Sequence, residues 1–284
     1  MTRFAGFSVL AWAAFSAPLR ADVTPQQVWD DLEAYMTDYG YAVTATESES
    51  GSNLIVSDVV MQIPMPEDEG SASFAMDEVV FTDRGDGTVS VVFPPVMPIT
   101  ADFDAEGEAV ETVINYTHDG LEMVVSGDPD AMVYDYTADQ LGFTLDSLTV
   151  DGETITRDMA RFDATMGPVA GRSTMKTAEM LKSSEQAVSL GNLIISGAFN
   201  DPDSDDAASL SGRMMALSVT GANDLPLDVD MTDIAAATEA GLSGSGVIEH
   251  QGAQWEFSGI DEGEASSGQF STASGRVSVD FSGN

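Results

Sequence analysis

The sequence predicts a mainly β fold: an antiparallel meander, open twisted sheet or groove, with an N-terminal amphipathic helix and one further short helix. Three observations support this class. Apolar residues alternate with a period of two through most of the chain. Turns rich in Gly, Asp and Pro separate these segments at even spacing. The long crossover helices that a parallel sheet needs are missing from the pattern.

The N-terminus, residues 1–21, reads as a cleavable secretory signal peptide. Arg3 provides the positive region, the run Phe4–Phe15 is uncharged and mostly apolar, and Ala21 is a small residue before the cut. A transmembrane anchor is the alternative, but a spanning helix needs about 20 apolar residues and this run is shorter. We therefore expect a single β-rich domain over 22–284, a periplasmic or secreted location, and no transmembrane helix after the signal peptide.

The first helix is predicted over about 24–39. Thr24 is a good N-cap, Pro25 suits the first helical position and Gln27 completes a capping box. Gly40 suits the position just past the helix end. Apolar side chains recur at helical spacing and predict a surface that docks on the rest of the fold: Val28, Trp29, Leu32, Tyr35, Met36 and Tyr39. A second, short helix is predicted from Thr232 to Ala240.

Strands are predicted from alternating apolar residues between turn signals. The segment Arg84-Gly85-Asp86-Gly87 predicts a tight hairpin, since Asp-Gly supplies the positive φ values of the primed turns. The residues around His118 and His250 are also interpreted as turns, and 157–190 is ambiguous between strand and helix. Further strands are predicted at Leu121–Val125, Met132–Tyr136, Leu141–Leu145, Met215–Val219, Trp255–Phe257 and Val277–Phe281.

The charge balance is strongly acidic. The chain has 48 acidic and 10 basic residues, a net charge of −38, and loss of Arg3 and Arg20 with the signal peptide adds two to that excess. Nucleic acids and anionic membrane surfaces are disfavoured partners, because they repel such a chain. The segment 157–182 alone is markedly positive. We expect it either to lie on a solvated face and reduce the repulsion among the acidic side chains, or to dock on the acidic first half of the chain or on an acidic partner.

The inventory of reactive residues predicts no catalytic, cofactor-binding or metal site. His118 and His250 are the only histidines, and both are interpreted as structural. The segment Gly241–Ser245 approaches the nucleophile-elbow pattern but lacks its final glycine. No phosphate-binding or dinucleotide glycine motif is present. The chain has no cysteine, which excludes disulfides and a lipid anchor on cysteine.

Two acidic loops match the calcium-loop pattern in part. The segment Asp201–Asp206 has alternating carboxylates but carries Asp206 where the turn glycine belongs. The segment Asp102–Gly107 has the glycine but places Val113 at the last ligand position. We therefore expect solvated acidic turns and no cofactor, with calcium binding as the alternative.

Three segments resemble the opening of an uncharacterised alphaproteobacterial exported family, the domain of unknown function 2125. They are Val23–Gly40, Leu54–Pro66 and Asp83–Pro98, and the resemblance extends through Ser209–Pro226 and Asp233–Gly246. The family has no activity or functional residues to carry over. Its members are longer, which leaves open whether residues 22–284 form a complete domain. Repeating meanders of this kind also resemble AsmA-like envelope proteins, whose curved sheets offer an apolar groove.

Three functional hypotheses follow. The favoured one is an uncharacterised exported, non-enzymatic protein that binds an apolar ligand, such as a lipid, or another protein of the cell envelope. The first alternative is an outer-membrane β-barrel, although Asp and Glu interrupt most strands before the 9–11 residues, roughly, that a spanning strand needs. The second alternative is a hydrolase without a recognisable motif.

Overall fold

The computed structural model describes residues 22–63, 70–105, 107–178, 180–202, 204–227, 229, 234–261 and 263–282. The predicted signal peptide lies outside these residues. The described chain is mainly β, with one antiparallel sheet of 17 strands and two helices, which confirms the predicted fold class. The elements are α1 (Pro25–Asp38), β1 (Ala42–Ser50), β2 (Asn53–Ile63), β3 (Ser71–Asp83), β4 (Val89–Val92), β5 (Val96–Ala105), β6 (Glu108–Asp119), β7 (Glu122–Asp128), β8 (Ala131–Ala138), β9 (Gln140–Val150), β10 (Glu153–Ile155), β11 (Ala160–Thr177), β12 (Leu181–Asn200), β13 (Ala207–Pro226), α2 (Ile234–Glu239), β14 (Ser243–His250), β15 (Gly252–Asp261), β16 (Glu264–Thr272) and β17 (Gly275–Ser282).

Helix α1 begins and ends where the sequence predicts. Thr24 is the N-cap, and the reciprocal hydrogen bonds with Gln27 form a complete capping box. Gly40 follows the helix with a φ of 87°, a conformation that glycine adopts without steric cost. Helix α2 is described over Ile234–Glu239, and the predicted residues 232–233 lie outside the described residues. In the part of the chain that the structure describes, neither helix is long and apolar enough to cross a membrane.

The strands correct two turn predictions and resolve one ambiguity. The hairpin at Gly85–Gly87 forms as predicted between β3 and β4. The residues around His118 and His250 do not reverse the chain, because β6 and β7 continue in one direction, as do β14 and β15. Gly120 and Gln251 interrupt a strand at these two positions instead of closing a hairpin. The ambiguous segment 157–190 is extended and lies in β11 and β12.

The sheet is an antiparallel meander in which several long strands are broken into two. Five positions across the sheet are each occupied by two strands that lie end to end: β4 with β5, β7 with β6, β8 with β9, β14 with β15, and β17 with β16. From one edge to the other, the order is β1, β2, β3, β4/β5, β7/β6, β8/β9, β11, β12, β13, β14/β15 and β17/β16. The short strand β10 pairs with the end of β9. When each broken strand is counted as one, successive strands lie side by side, and α2 lies in the connection between β13 and β14.

A line of interruptions, which we call the transverse break, crosses this sheet. From β6 to β17 the register is the same on both sides of the line, so the unpaired residues lie opposite one another: Gly120, Asp139, Pro168, Gly191, Ala216, Gln251 and Ser274. Two of them have left-handed backbones, Gly120 with a φ of 63° and Ala216 with a φ of 47°. Towards the first strands the line continues through Asp58, which has a φ of 53°.

The apolar alternation shifts by one residue at the transverse break. In β2, Leu54 and Val56 are in the core before Asp58, and Val59 is in the core after it. In β3, Met76 and Val79 are both core residues although they are three positions apart. An extra residue of this kind acts as a bulge, which turns the following side chains over. The shift therefore keeps the same face of the sheet apolar on both sides of the break.

The sheet wraps around α1. This helix reaches Glu47 in β1, Phe81 in β3, Tyr134 in β8, Lys182 in β12 and Asn223 in β13. At about 4.8 Å per strand, the strands from β1 to β13 would extend roughly 40 Å if flat, whereas a helix with its side chains is only about 10–12 Å wide. The sheet must therefore curl to bring these strands to one helix, and the core lies inside that curve.

Several strand glycines lie beneath a ring from the neighbouring strand. A Cβ atom placed on any of these glycines would overlap the ring of its cross-strand partner. The pairs are Gly171 with Tyr136, Gly212 with Trp255, Gly268 with Phe257, Gly244 with Phe281 and Gly275 with His250. The ring covers the backbone that glycine leaves open, and the glycine lets the ring lie close to the sheet.

This packing makes Gly212→Ala a destabilising substitution. The added methyl group displaces the Trp255 ring, and we expect the free energy of unfolding to fall by about 1–3 kcal/mol, the usual cost of overpacking. Urea unfolding followed by circular dichroism and tryptophan fluorescence measures the change. Gly197→Ala is the matched control, because a Cβ there meets its nearest atom, Arg161 O, at 3.6 Å. An equal loss in both variants would show that the ring contact is not the cause.

Candidate binding groove

An apolar groove lies inside the curved sheet, beside the C-terminal half of α1. Its volume is about 880 Å³, within the range of roughly 300–1,000 Å³ typical of small-molecule sites. One wall comes from early strands, with Met61, Phe74 and Ile99. The opposite wall comes from β12, β13, β14 and β17, with Val219 and Phe281. The wrapping of the sheet is what brings strands so distant in sequence to face each other.

The lining of the groove carries no charged side chain in the part of the chain that the structure describes. Its apolar members are Met36, Met61, Ile63, Phe74, Ile99, Val219, Ala222, Leu242, Val247, Ile248, Val279 and Phe281. Its polar members are neutral: Tyr35, Tyr39, Tyr41, Gln186, Thr220, Asn223 and Ser245. In a chain with a net charge of −38, a lining without acids contrasts sharply with the rest of the surface. Such a surface suits an apolar ligand with a few neutral polar groups.

A buried ion pair fixes α1 against the sheet beside this groove. The Nζ atom of Lys182 lies 3.0 Å from Oδ1 of Asp31, and the two side chains are 3% and 11% exposed. The Tyr134 hydroxyl donates a hydrogen bond of 2.7 Å to Oδ2 of the same carboxylate. The ammonium group also lies 5.5 Å from the centre of the Tyr35 ring, within cation–π range. Asp31 thus has partners on both oxygens, which is what a carboxylate removed from water requires.

This ion pair bears on the expectation that the positive segment 157–182 docks on the acidic first half of the chain. Two bases of the positive segment 157–182 reach acids of the first half: Lys182 binds Asp31, and Arg172 forms a bidentate pair with Asp135, with both N–O distances 2.8 Å. Arg157 instead pairs with Asp163 inside the segment. The segment therefore docks partly on the acidic first half, through one buried contact and one exposed contact.

A second polar contact anchors the C-terminal end of α1. The Asn223 side-chain amide donates to the Tyr39 hydroxyl, and the Ser184 hydroxyl donates to the Asn223 carbonyl oxygen. The rings of Tyr35 and Tyr39 lie 4.8 Å apart. Burial, together with a hydrogen bond to Tyr35, raises the pKa of Tyr39, and burial raises the pKa of Tyr134 next to Asp31. Both phenols are therefore neutral hydrogen-bonding groups at physiological pH.

The residues considered for catalysis have structural contacts. His118 Nε2 donates a hydrogen bond of 2.9 Å to the Pro94 carbonyl oxygen across the transverse break. The His250 ring lies over Gly275. Ser243, in the incomplete nucleophile elbow, donates to Asp224 Oδ2 at 3.1 Å in the neighbouring strand. These contacts assign each of the three side chains to strand pairing.

The two acidic loops have local hydrogen bonds. Asp104 accepts from the Gly107 amide at 2.8 Å, and Asp201 accepts from the Ser204 hydroxyl at 3.0 Å. Glu106 and Asp203 lie outside the described residues. Among the residues that are described, no group of three or more Asp, Glu, His or Cys side chains is arranged to hold a metal ion.

Comparisons of the chain with protein-family models, with curated proteins and with solved structures find no match. The resemblance to the domain of unknown function 2125 stays a prediction. The class that the geometry defines is a curved antiparallel sheet around one helix, with an apolar groove between helix and sheet.

Proposed function

We propose that this chain is an exported, non-enzymatic binding protein whose groove takes one apolar chain, such as the alkyl chain of a lipid. The observation that carries the proposal is the groove of about 880 Å³, whose lining carries no charged residue among those that the structure describes. Concave apolar sites with a few neutral polar groups are typical of small ligands. An envelope protein as the ligand would favour a flat surface, whereas a groove of this volume between two walls supports a small molecule.

The charge of the chain selects among apolar ligands. A net charge of −38 produces a negative potential around the groove. An anionic head group is repelled by that potential, whereas a neutral or cationic head group is not. Neutral hydrogen-bonding groups at the groove, such as Gln186 and Tyr41, suit an uncharged head. The proposed ligand class is therefore a long alkyl chain with an uncharged or cationic head.

The test is direct binding of alkyl probes to the mature chain. We expect a fluorescent alkyl probe with an uncharged head to bind with micromolar affinity, and an otherwise identical anionic probe to bind more weakly. In Gly246→Phe the new ring enters the groove without backbone strain, since a Cβ there meets only Thr220 O at 3.8 Å. This substitution should weaken binding about tenfold or more, a loss of about 1.4 kcal/mol.

The matched control is Ala187→Phe, on the exposed face of β12 next to the groove residue Gln186. Successive strand residues face opposite sides, so the same ring is added outside the groove. Equal binding by Gly246→Phe and the wild-type chain would refute the groove as the site. If none of the probes binds, the proposed ligand class is wrong.

A further inference from the structure

The last strand, β17, presents an open and apolar edge of the sheet. Within the described residues its ladder partner is β14, and its other edge carries no strand. Val277, Val279 and Phe281 are 62%, 60% and 49% exposed, and they share one face of the strand. An exposed strand edge of this kind is a template for pairing with another strand.

The sequence of β17 is complementary to itself around Ser278. In an antiparallel pair of two identical strands with Ser278 on the two-fold axis, Val277 faces Val279 and Arg276 faces Asp280. We propose that a second copy of this chain binds here, with β17 paired to β17 in this register. Val279 and Phe281 also line the groove, but the proposal rests on strand pairing at the edge of the sheet and not on the identity of the ligand that the groove binds.

Charge complementarity supports a second copy as the partner. Arg276 and Asp280 lie on the face opposite to the valines, and the two-fold axis places each beside the opposite charge of the other chain, twice per dimer. Opposite charges directly across an antiparallel ladder stabilise it. Arg276 already contacts Glu249 in β14, so its guanidinium group would lie between two carboxylates. Slipping the register by two residues would remove the Arg276–Asp280 match.

The apolar face is complementary in the same register. Gly275 lies opposite Phe281 of the second copy at each end of the contact, while within each chain the His250 ring covers Gly275 and the Phe281 ring covers Gly244. The valines meet at the centre of the contact, and pairing covers part of their exposed surface. A contact limited to one strand from each chain is smaller than a standard stable interface, so we expect a weak, micromolar dimer.

A charge-exchange experiment tests the register. At about 0.15 M salt, where charges separated by more than roughly 8 Å are screened, analytical ultracentrifugation should show a concentration-dependent dimer of the wild-type mature chain. Arg276→Asp alone and Asp280→Arg alone each place like charges opposite each other, and we expect each to shift the dimer dissociation constant at least tenfold towards monomer. An equimolar mixture of the two variants restores both opposite-charge pairs, and the dimer should return as a heterodimer.

A single cysteine gives an independent readout, since the chain has none. Ser278→Cys places two thiols opposite each other on the axis, about 4.5–5.5 Å apart between Cα atoms, which a disulfide can span. We expect it to form a covalent dimer on oxidation. Ser282→Cys, on the same face, should not, because its counterpart lies at the far end of the strand pair. Thermal unfolding of each variant confirms that it is folded.

Three results would overturn the proposal. The first is a wild-type chain that remains monomeric at hundreds of micromolar and at raised salt, where repulsion between the acidic copies is screened. The second is a dimer that both single charge variants retain. The third is equal crosslinking of the two cysteine variants. A monomer in all conditions would leave this edge for a strand of a different protein.

Discussion

Lys182→Met is expected to lower the free energy of unfolding by about 3–5 kcal/mol, the usual result of breaking a buried ion pair on one side. Asp31, whose side chain is 11% exposed, would lose its cationic partner. Urea unfolding monitored by circular dichroism measures the loss. Lys176→Met, on the exposed part of the neighbouring strand β11, is the control and should change stability by less than about 0.5 kcal/mol.

The double variant Asp31→Asn with Lys182→Met separates the ion pair from simple loss of packing. Removing both charges removes the uncompensated carboxylate, so the double variant should be more stable than Lys182→Met alone. If the loss of unfolding free energy in the double variant equals the sum of the losses in the two single variants, these two side chains are not paired. Since α1 supplies Tyr35 and Met36 to the groove, and its C-cap is Tyr39, loosening the helix should also weaken binding of the alkyl probe.

Trp29→Ala should cost about 3–5 kcal/mol, as for other large aromatic residues removed from a core. Trp29 is 2% exposed, packs edge-on against Phe81 at 6.0 Å between ring centres, and donates from Nε1 to Glu47 at 3.0 Å. Because the sheet curls around this helix, little else can fill the space that the indole leaves. Equilibrium unfolding in urea measures the effect.

Trp29→Phe is the informative comparison. It keeps a ring against Phe81 but loses the hydrogen bond to Glu47, which is exposed and regains water. We expect a loss of about 1–2 kcal/mol, clearly smaller than for alanine. Losses of equal size in the two variants would mean that the hydrogen bond, and not the buried ring, fixes the helix.

The local features of this fold were predictable, because they depend on neighbours in sequence. The helix from Thr24 to Gly40 has a capping box and a C-terminal glycine, and the hairpin after Asp83 has its Asp-Gly pair. The turns expected at His118 and His250 were wrong for a physical reason. Gly120 has a positive φ of 63°, but that conformation serves a break within a strand as well as a reversal, and Gly252 is paired in β15 without a positive φ.

The candidate site was not predictable from the sequence. Asp31 and Lys182 are 151 residues apart, and with 48 acids in the chain no pattern distinguishes Asp31 as a carboxylate that lies away from water. The groove unites strands near both ends of the described chain, and only the curvature of the sheet brings them together. The alternation predicted which side chains share a face, but not that Phe74 and Phe281 would line one groove.

The transverse break also constrains how this chain can gain or lose residues during evolution. Deleting Gly191 or Ala216 would reverse the facing of every side chain between that point and the next turn, because strand side chains alternate with a period of two. Apolar and acidic faces would then exchange over half a strand. A deletion in an exposed turn such as Gly51-Ser52 has no such consequence. Related chains should therefore vary in length at their turns, while the number of residues between each turn and the break changes only by even steps.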